Sequence, residues 1–107
     1  MFNQKSVIKH VSDFAEEIKN SGIHLRKIVL YGSYASNRQH EWSDIDVALV
    51  ADEFSGFGFE DVGIIAVHMR KYPYYLIQPR TYNTKNFSAK QDPFVDEILK
   101  TGIEIKL

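Results

Sequence analysis

Along the first twenty residues, Val7, Ile8, Val11, Phe14, Ala15 and Ile18 recur three and four positions apart, and Asn20-Ser21-Gly22 supplies a stop. That spacing predicts an amphipathic helix over about 4–20, with the intervening Lys and Glu residues on its solvated face. The pattern then changes. Leu25 to Tyr31 reads as a first strand whose apolar centre, Ile28-Val29-Leu30, runs into Tyr31-Gly32-Ser33. An apolar run ending in Gly-Ser suits a buried strand that turns sharply into a helix start, leaving backbone N–H groups and a hydroxyl free to face a ligand. The segment Ser33 to Arg38 is accordingly expected to be a short helix begun by Ser33.

A second strand is expected in Ser43-Asp44-Ile45-Asp46-Val47-Ala48-Leu49-Val50. Alternate strand residues leave on the same face, so Asp44 and Asp46 should point one way while Ile45, Val47 and Leu49 enter the core. Residues 51–59 mix glycine with aromatics and have no period, which predicts a loop, with room to fold over the acidic pair. Val62, Ile65, Ala66 and Met69 predict a covering helix from about Glu60 to Tyr72. A third strand is expected over Tyr74 to Gln78, closed by Pro73 before it and Pro79 after it. Arg80 to Lys90 reads as a polar connection with a turn at Asn83-Thr84. Asp92-Pro93 marks a helix start and Gly102 its end, with Phe94, Val95, Ile98 and Leu99 as the buried face, and Ile103-Glu104-Ile105 alternates as a closing strand.

Composition narrows the class of protein. At 107 residues, 44% hydrophobic and 25% charged, the sequence is that of one soluble globular domain spanning 1–107. A net charge of −1 supplies no general attraction for a polynucleotide, so strong nucleic-acid binding is not expected. The absence of cysteine removes thiolate metal sites and disulfides. No signal-like segment or long apolar span is visible, so the expected location is the cytoplasm, away from the membrane.

The chemistry concentrates in two places. A Gly-Ser turn rich in amide donors suits phosphate, and two carboxylates side by side suit a hard divalent cation. Alone, Asp-x-Asp is most often a solvated strand edge and Gly-Ser an ordinary turn. In this order, with ten residues between Ser33 and Asp44, the two together point to a site. The histidines add little: His10 and His24 are read as structural or surface residues, His68 as a core-edge residue, and His40 as a minor candidate. Trp42 offers a ring to a base or, more simply, to packing. Tyr31, Tyr34, Tyr74 and Phe57 are further rings available to a base pocket, with core packing the default for each.

The combination of Gly32-Ser33, the spacer and Asp44-x-Asp46 resembles the signature of the DNA polymerase β-type nucleotidyltransferases, and within them the minimal nucleotidyltransferase (MNT) group. The resemblance implies an α+β fold, a small mixed β-sheet covered by helices. It gives Gly32 and Ser33 the nucleoside triphosphate, Asp44 and Asp46 the Mg²⁺, and AMP from ATP as the expected group transferred. Relatives often carry a basic residue near Ser36 and a glycine near Asn37; here Arg38 is the cation available for the nucleotide, and Asn tolerates the left-handed conformation glycine would adopt. The third carboxylate of such sites falls at Gln78, whose amide offers an oxygen but accepts no proton. Asp52 or Glu53 is the available substitute. The resemblance further implies a helical HEPN-type partner protein, often a toxin for which the MNT chain is the antitoxin. Self-association stays open. A binding module without turnover is the second reading, because of Gln78.

Overall fold

The computed structural model describes residues 2–41 and 43–107. Trp42, whose ring was expected to serve a base or the packing, lies outside the described residues.

Helix α1 spans Gln4–Asn20, as the spacing predicts. Asn3 begins it with a reciprocal cap in which its side chain accepts from the Ser6 amide while Ser6 Oγ accepts from the Asn3 amide. Strand β1, Leu25–Tyr31, also falls where expected. It pairs antiparallel with β2, Ile45–Ala51, and at its other side with the short β4, Ile103–Glu104. Strand β3, Ile77–Asn83, runs parallel to β2 and forms one edge of the sheet, whose order is β3-β2-β1-β4.

Both faces of β2 are buried along most of its length, which explains its nearly continuous apolar run. Ile45, Val47 and Leu49 join Ile28 and Leu30 beneath α1, around Phe14 and Ile18. Ala48 and Val50 join Val29 and Tyr82 beneath helix α3, Pro93–Thr101, through Val95 and Ile98. The cap of α3 is the expected one, Asp92 accepting from the Phe94 amide with proline next. Two residues assigned to its buried face are not buried, however. Phe94 and Leu99 stay 38% and 42% exposed, Val95 and Ile98 being the residues that enter the core while Phe94 packs on Tyr31 and Arg80.

Three other expectations are corrected. Helix α2 covers only Gly58–Ile65 and passes into a 3₁₀ turn at Ala66–Met69, and Val62 faces outward at 50% exposure. Tyr74–Leu76 is a 3₁₀ turn rather than strand, and β3 continues through Pro79 instead of ending at it. The proline is tolerated because β3 is an edge strand, where only one side needs backbone donors. The loop after β2 lies at the strand's C-terminal end, about seven residues and therefore roughly 23 Å of strand away from Asp44, so it does not fold over the acidic pair. It is tied down there by the buried Asp61, whose carboxylate accepts from the amides of Ser55 and Gly56 and from the hydroxyls of Ser55 and Thr81. Among the described residues, no helix is long and apolar enough to cross a membrane.

Candidate functional site

Three chain ends meet at one end of the sheet: β1 leaves it, while β2 and β3 enter it. Tyr31, the last residue of β1, pairs with Asp46, and Asp46 pairs with Gln78. Register partners in a sheet share a face, so Asp46, Gln78 and Tyr31 look out on the same side.

Gly32 follows at once with φ of 76°, a conformation that L side chains rarely adopt. A Cβ built on it would collide with Oδ2 of Asp46. The carboxylate therefore stands directly against the backbone of the turn, and glycine is required for two reasons at one position. Beyond it, residues 33–38 form consecutive turns rather than the expected short helix. The Ser36 amide donates to the Gly32 carbonyl at 3.2 Å and the Arg38 amide to the Ser33 carbonyl at 2.8 Å, while Asn37 takes the left-handed conformation at φ 58° that breaks helical continuation. The amides of Ser33, Tyr34 and Ala35 make no hydrogen bond within the described residues, which leaves three donors and the Ser33 hydroxyl for a ligand. Gln4 holds this turn from behind, its Nε2 donating to the carbonyls of Tyr34 and Ala35 at 2.9 and 3.1 Å. No periodicity marks Gln4 as such a residue; its role is visible only once the first turn of α1 is seen beside residues 34 and 35.

Asp44 lies one residue before β2 and is exposed, whereas Asp46 is half-buried. Burial, and then the nearby Asp44 carboxylate, hold the Asp46 carboxyl above the usual carboxylate range. Asp44 is thus near enough to act on the Asp46 carboxyl electrostatically. Gln78 is exposed in the third position, on the adjoining parallel strand. Among the described residues no group of three His, Cys, Asp or Glu side chains is assembled, so the site has a pair of carboxylates and an amide oxygen. These are hard oxygen donors, which suits Mg²⁺ or another hard divalent ion.

Asp52 and Glu53 cannot stand in for the third acid. They sit beyond the opposite end of β2 and are engaged there, Asp52 by Arg26 and Thr84, Glu53 by His24. His68 bonds Glu17 at 2.8 Å and His10 packs on Phe2, in keeping with structural roles. Arg38 ends the turn and is exposed, carrying the nearest backbone link to Ser33. A second cation lies on β3, in residues whose pattern predicts only a polar connection. Arg80, two residues after Gln78 and on the same strand face, stacks over Phe94 at 4.5 Å, and its Nε donates to the Tyr82 hydroxyl at 2.9 Å. Phe94 in turn packs edge-on against Tyr31. Of the expected aromatic candidates, Tyr74 packs on Phe14 in the core and Phe57 lies away from the acids, while Tyr34 borders a groove of 410 Å³ that Asp44 also lines. A larger cavity of 760 Å³ runs along the open edge of β3, but neither acid nor the Gly32 turn lines it.

A mixed sheet with helices on its faces, and a glycine turn pressed against paired acids, defines a nucleotidyl-transfer scaffold. The chain belongs to the polymerase β nucleotidyltransferase family, whose model, "Polymerase beta, Nucleotidyltransferase", matches residues 13–106. A protein of Sulfolobus solfataricus assigned as a nucleotidyltransferase has a similar crystal structure, with a TM-score of 0.66 at 18% identity, over 94% of this chain and 80% of that one. At that identity the likeness concerns the fold. No curated relative matches the sequence.

Proposed function

We propose that this protein transfers a nucleoside monophosphate, AMP from ATP, to a hydroxyl group on a partner protein, as the antitoxin of a HEPN/MNT-type pair. The observation that carries the reading is the Asp46 carboxylate set against the Gly32 turn, since a carboxylate beside amides with no partner is an arrangement suited to a metal ion and phosphate together. The amides of residues 33–35, the Ser33 hydroxyl and Arg38 hold the triphosphate. Asp44 and Asp46, with the Gln78 oxygen beside them, are the residues that would hold Mg²⁺, which when bound supplies charge neutralisation at the phosphates. The acceptor oxygen forms a bond to the α-phosphorus, the bond to the bridging oxygen breaks, and pyrophosphate leaves. Gln78 cannot take the hydroxyl proton, which goes to solvent.

A partner is supported by exposed apolar side chains on and around α2: Phe57, Phe59, Val62 and Val67 are each at least half exposed, as a surface that meets another chain would be. Incubation with ATP labelled at the α-phosphate, Mg²⁺ and the co-expressed partner should label the partner, and Asp44→Ala should abolish the label. Gln78 favours one alternative, a module that binds nucleotide without turnover. Gln78→Glu restores a proton acceptor and should raise the transfer rate, a general base contributing roughly 10²- to 10⁴-fold. No label from either the native chain or Gln78→Glu, with nucleotide binding intact, would favour the alternative.

A further inference from the structure

The groove beside Asp44 is lined by Phe2, Tyr34, Tyr72 and Leu76, with Glu41 and Ser43 at its polar side. At 410 Å³ it falls within the range of small-molecule sites. Its apolar side chains are also unusually open: Tyr72 is 65% and Leu76 37% exposed, although Phe2 lies against Tyr72 with ring centroids 6.2 Å apart. Phe2 packs in turn on His10 of α1 and Tyr34 is 3% exposed, so both are held by their packing, while the Tyr72 ring, which also meets Tyr75 with centroids 5.9 Å apart, keeps most of its surface open. Glu41 has no ion pair or hydrogen bond among the described residues, although it borders these rings. The lining thus joins the candidate metal ligand Asp44 to a set of aromatic rings.

We infer that this groove is the nucleobase subsite, in which the base stacks on Tyr72 above Phe2 and Leu76 while Glu41 accepts a hydrogen bond from an exocyclic amino group. The inference rests on the nucleotidyl-transfer reading, because it needs the α-phosphate at Asp44 and Asp46. Every base has a face to stack, so Tyr72 supplies affinity without choice. A carboxylate accepts from an amino group and repels a carbonyl oxygen, so Glu41 supplies the choice: adenine, cytosine and guanine are favoured over uracil and hypoxanthine.

Calorimetric titration of the whole chain in Mg²⁺ with three probes tests this: a non-hydrolysable ATP analogue, its inosine counterpart and inorganic tripolyphosphate. The wild-type chain should bind the adenosine analogue more tightly than either of the others. Tyr72→Ala, at an exposed position, should weaken the adenosine analogue about 10- to 100-fold and leave tripolyphosphate unchanged, with Tyr72→Phe close to wild type. Glu41→Ala should bring the adenosine and inosine analogues to similar affinity. If tripolyphosphate binds as tightly as the adenosine analogue, or Tyr72→Ala leaves all three affinities alone, the subsite is refuted while the phosphate and metal site survives. If no probe binds the wild-type chain in Mg²⁺, the nucleotidyl-transfer reading falls, and the subsite with it.

Discussion

Removing one charge from the acidic pair should make the protein more stable at neutral pH. Asp46 is half-buried, with Asp44 beside it, and its carboxyl is held above the usual range by burial first and by Asp44 second. A raised carboxyl contributes stability that is fully present below its unfolded-state pKa, about 3.9, and lost as pH rises through the higher folded value; at pH 7 the ionised group is therefore a cost. Side chains at alternate strand positions stand about 7 Å apart. Two unit charges at that distance repel by about 0.6 kcal/mol in water and about 2.4 kcal/mol at an effective dielectric constant near 20. Asp44 is exposed, so the low end applies, and with partial desolvation of Asp46 the cost comes to about 1 kcal/mol. Asp46→Asn keeps the shape and removes the charge. Melting followed by circular dichroism, in EDTA at pH 7, should show Tm raised by about 4 °C for a domain of this size. The gain should fade below about pH 4, where the wild-type carboxyl is protonated too. Added Mg²⁺ should raise the Tm of the wild-type chain and do much less for Asp46→Asn, since ligand binding stabilises only the form that binds it. A variant that melts lower at pH 7, or one whose gain persists unchanged at pH 3, would refute the argument, because packing and not charge would then set the effect.

Gly32→Ala should behave in the opposite way, forcing a side chain into both a left-handed backbone and the Asp46 carboxylate; urea melts should show a loss of about 1–3 kcal/mol, accompanied by loss of Mg²⁺-dependent nucleotide binding. Asp61→Ala leaves the buried Thr81 hydroxyl and the part-buried amides of Ser55 and Gly56 without their acceptor, and should lower stability by roughly 2–5 kcal/mol; a loss under about 1 kcal/mol would show that water replaces the carboxylate. Asp52 is held down to about 2 by Arg26 and then Thr84. A lowered carboxyl stabilises above its ordinary pKa, and that contribution is lost as pH falls from about 4 to about 2. Arg26→Ala should flatten this acid-side decline in a pH series of urea midpoints.

What the sequence made legible, and what it hid, divides along physical lines. Elements that bury one face or both were visible, because burial imposes a period: α1 and β1 stand at the expected limits, while β2 starts two residues later than expected, leaving Asp44 just before it, and ends one residue later. Capped ends were visible for the same kind of reason, Asp92-Pro93 starting α3 through a local hydrogen bond. The misreadings fall where the local signal depends on what lies next door. Pro79 looks like a terminator until β3 is known to be an edge strand with β2 on one side only. Arg80 was hidden with it, although its strand position puts it on the face of Asp46. At the site, the Gly32 turn and the acidic pair could be named from residue types, but their contact depends on the antiparallel register that sets Tyr31 opposite Asp46.

That register also bears on how many cations the site suits. Three carboxylates in the positions of Asp44, Asp46 and Gln78 would carry more negative charge than one divalent ion offsets, a condition that favours a second ion bridging to the leaving group. With an amide in the third position there are two negative charges, which on the proposed reading a single divalent ion would balance. On that reading the remaining phosphate charge would be met by the amides of residues 33–35 and by a guanidinium, which would make the turn behind Gly32 more important than it is beside a full set of acids. Gln78→Glu changes this balance as well as the proton acceptor. The variant should therefore bind Mg²⁺ more tightly and depend more steeply on its concentration, whereas a variant that gained activity with unchanged Mg²⁺ dependence would assign Gln78 to proton transfer alone.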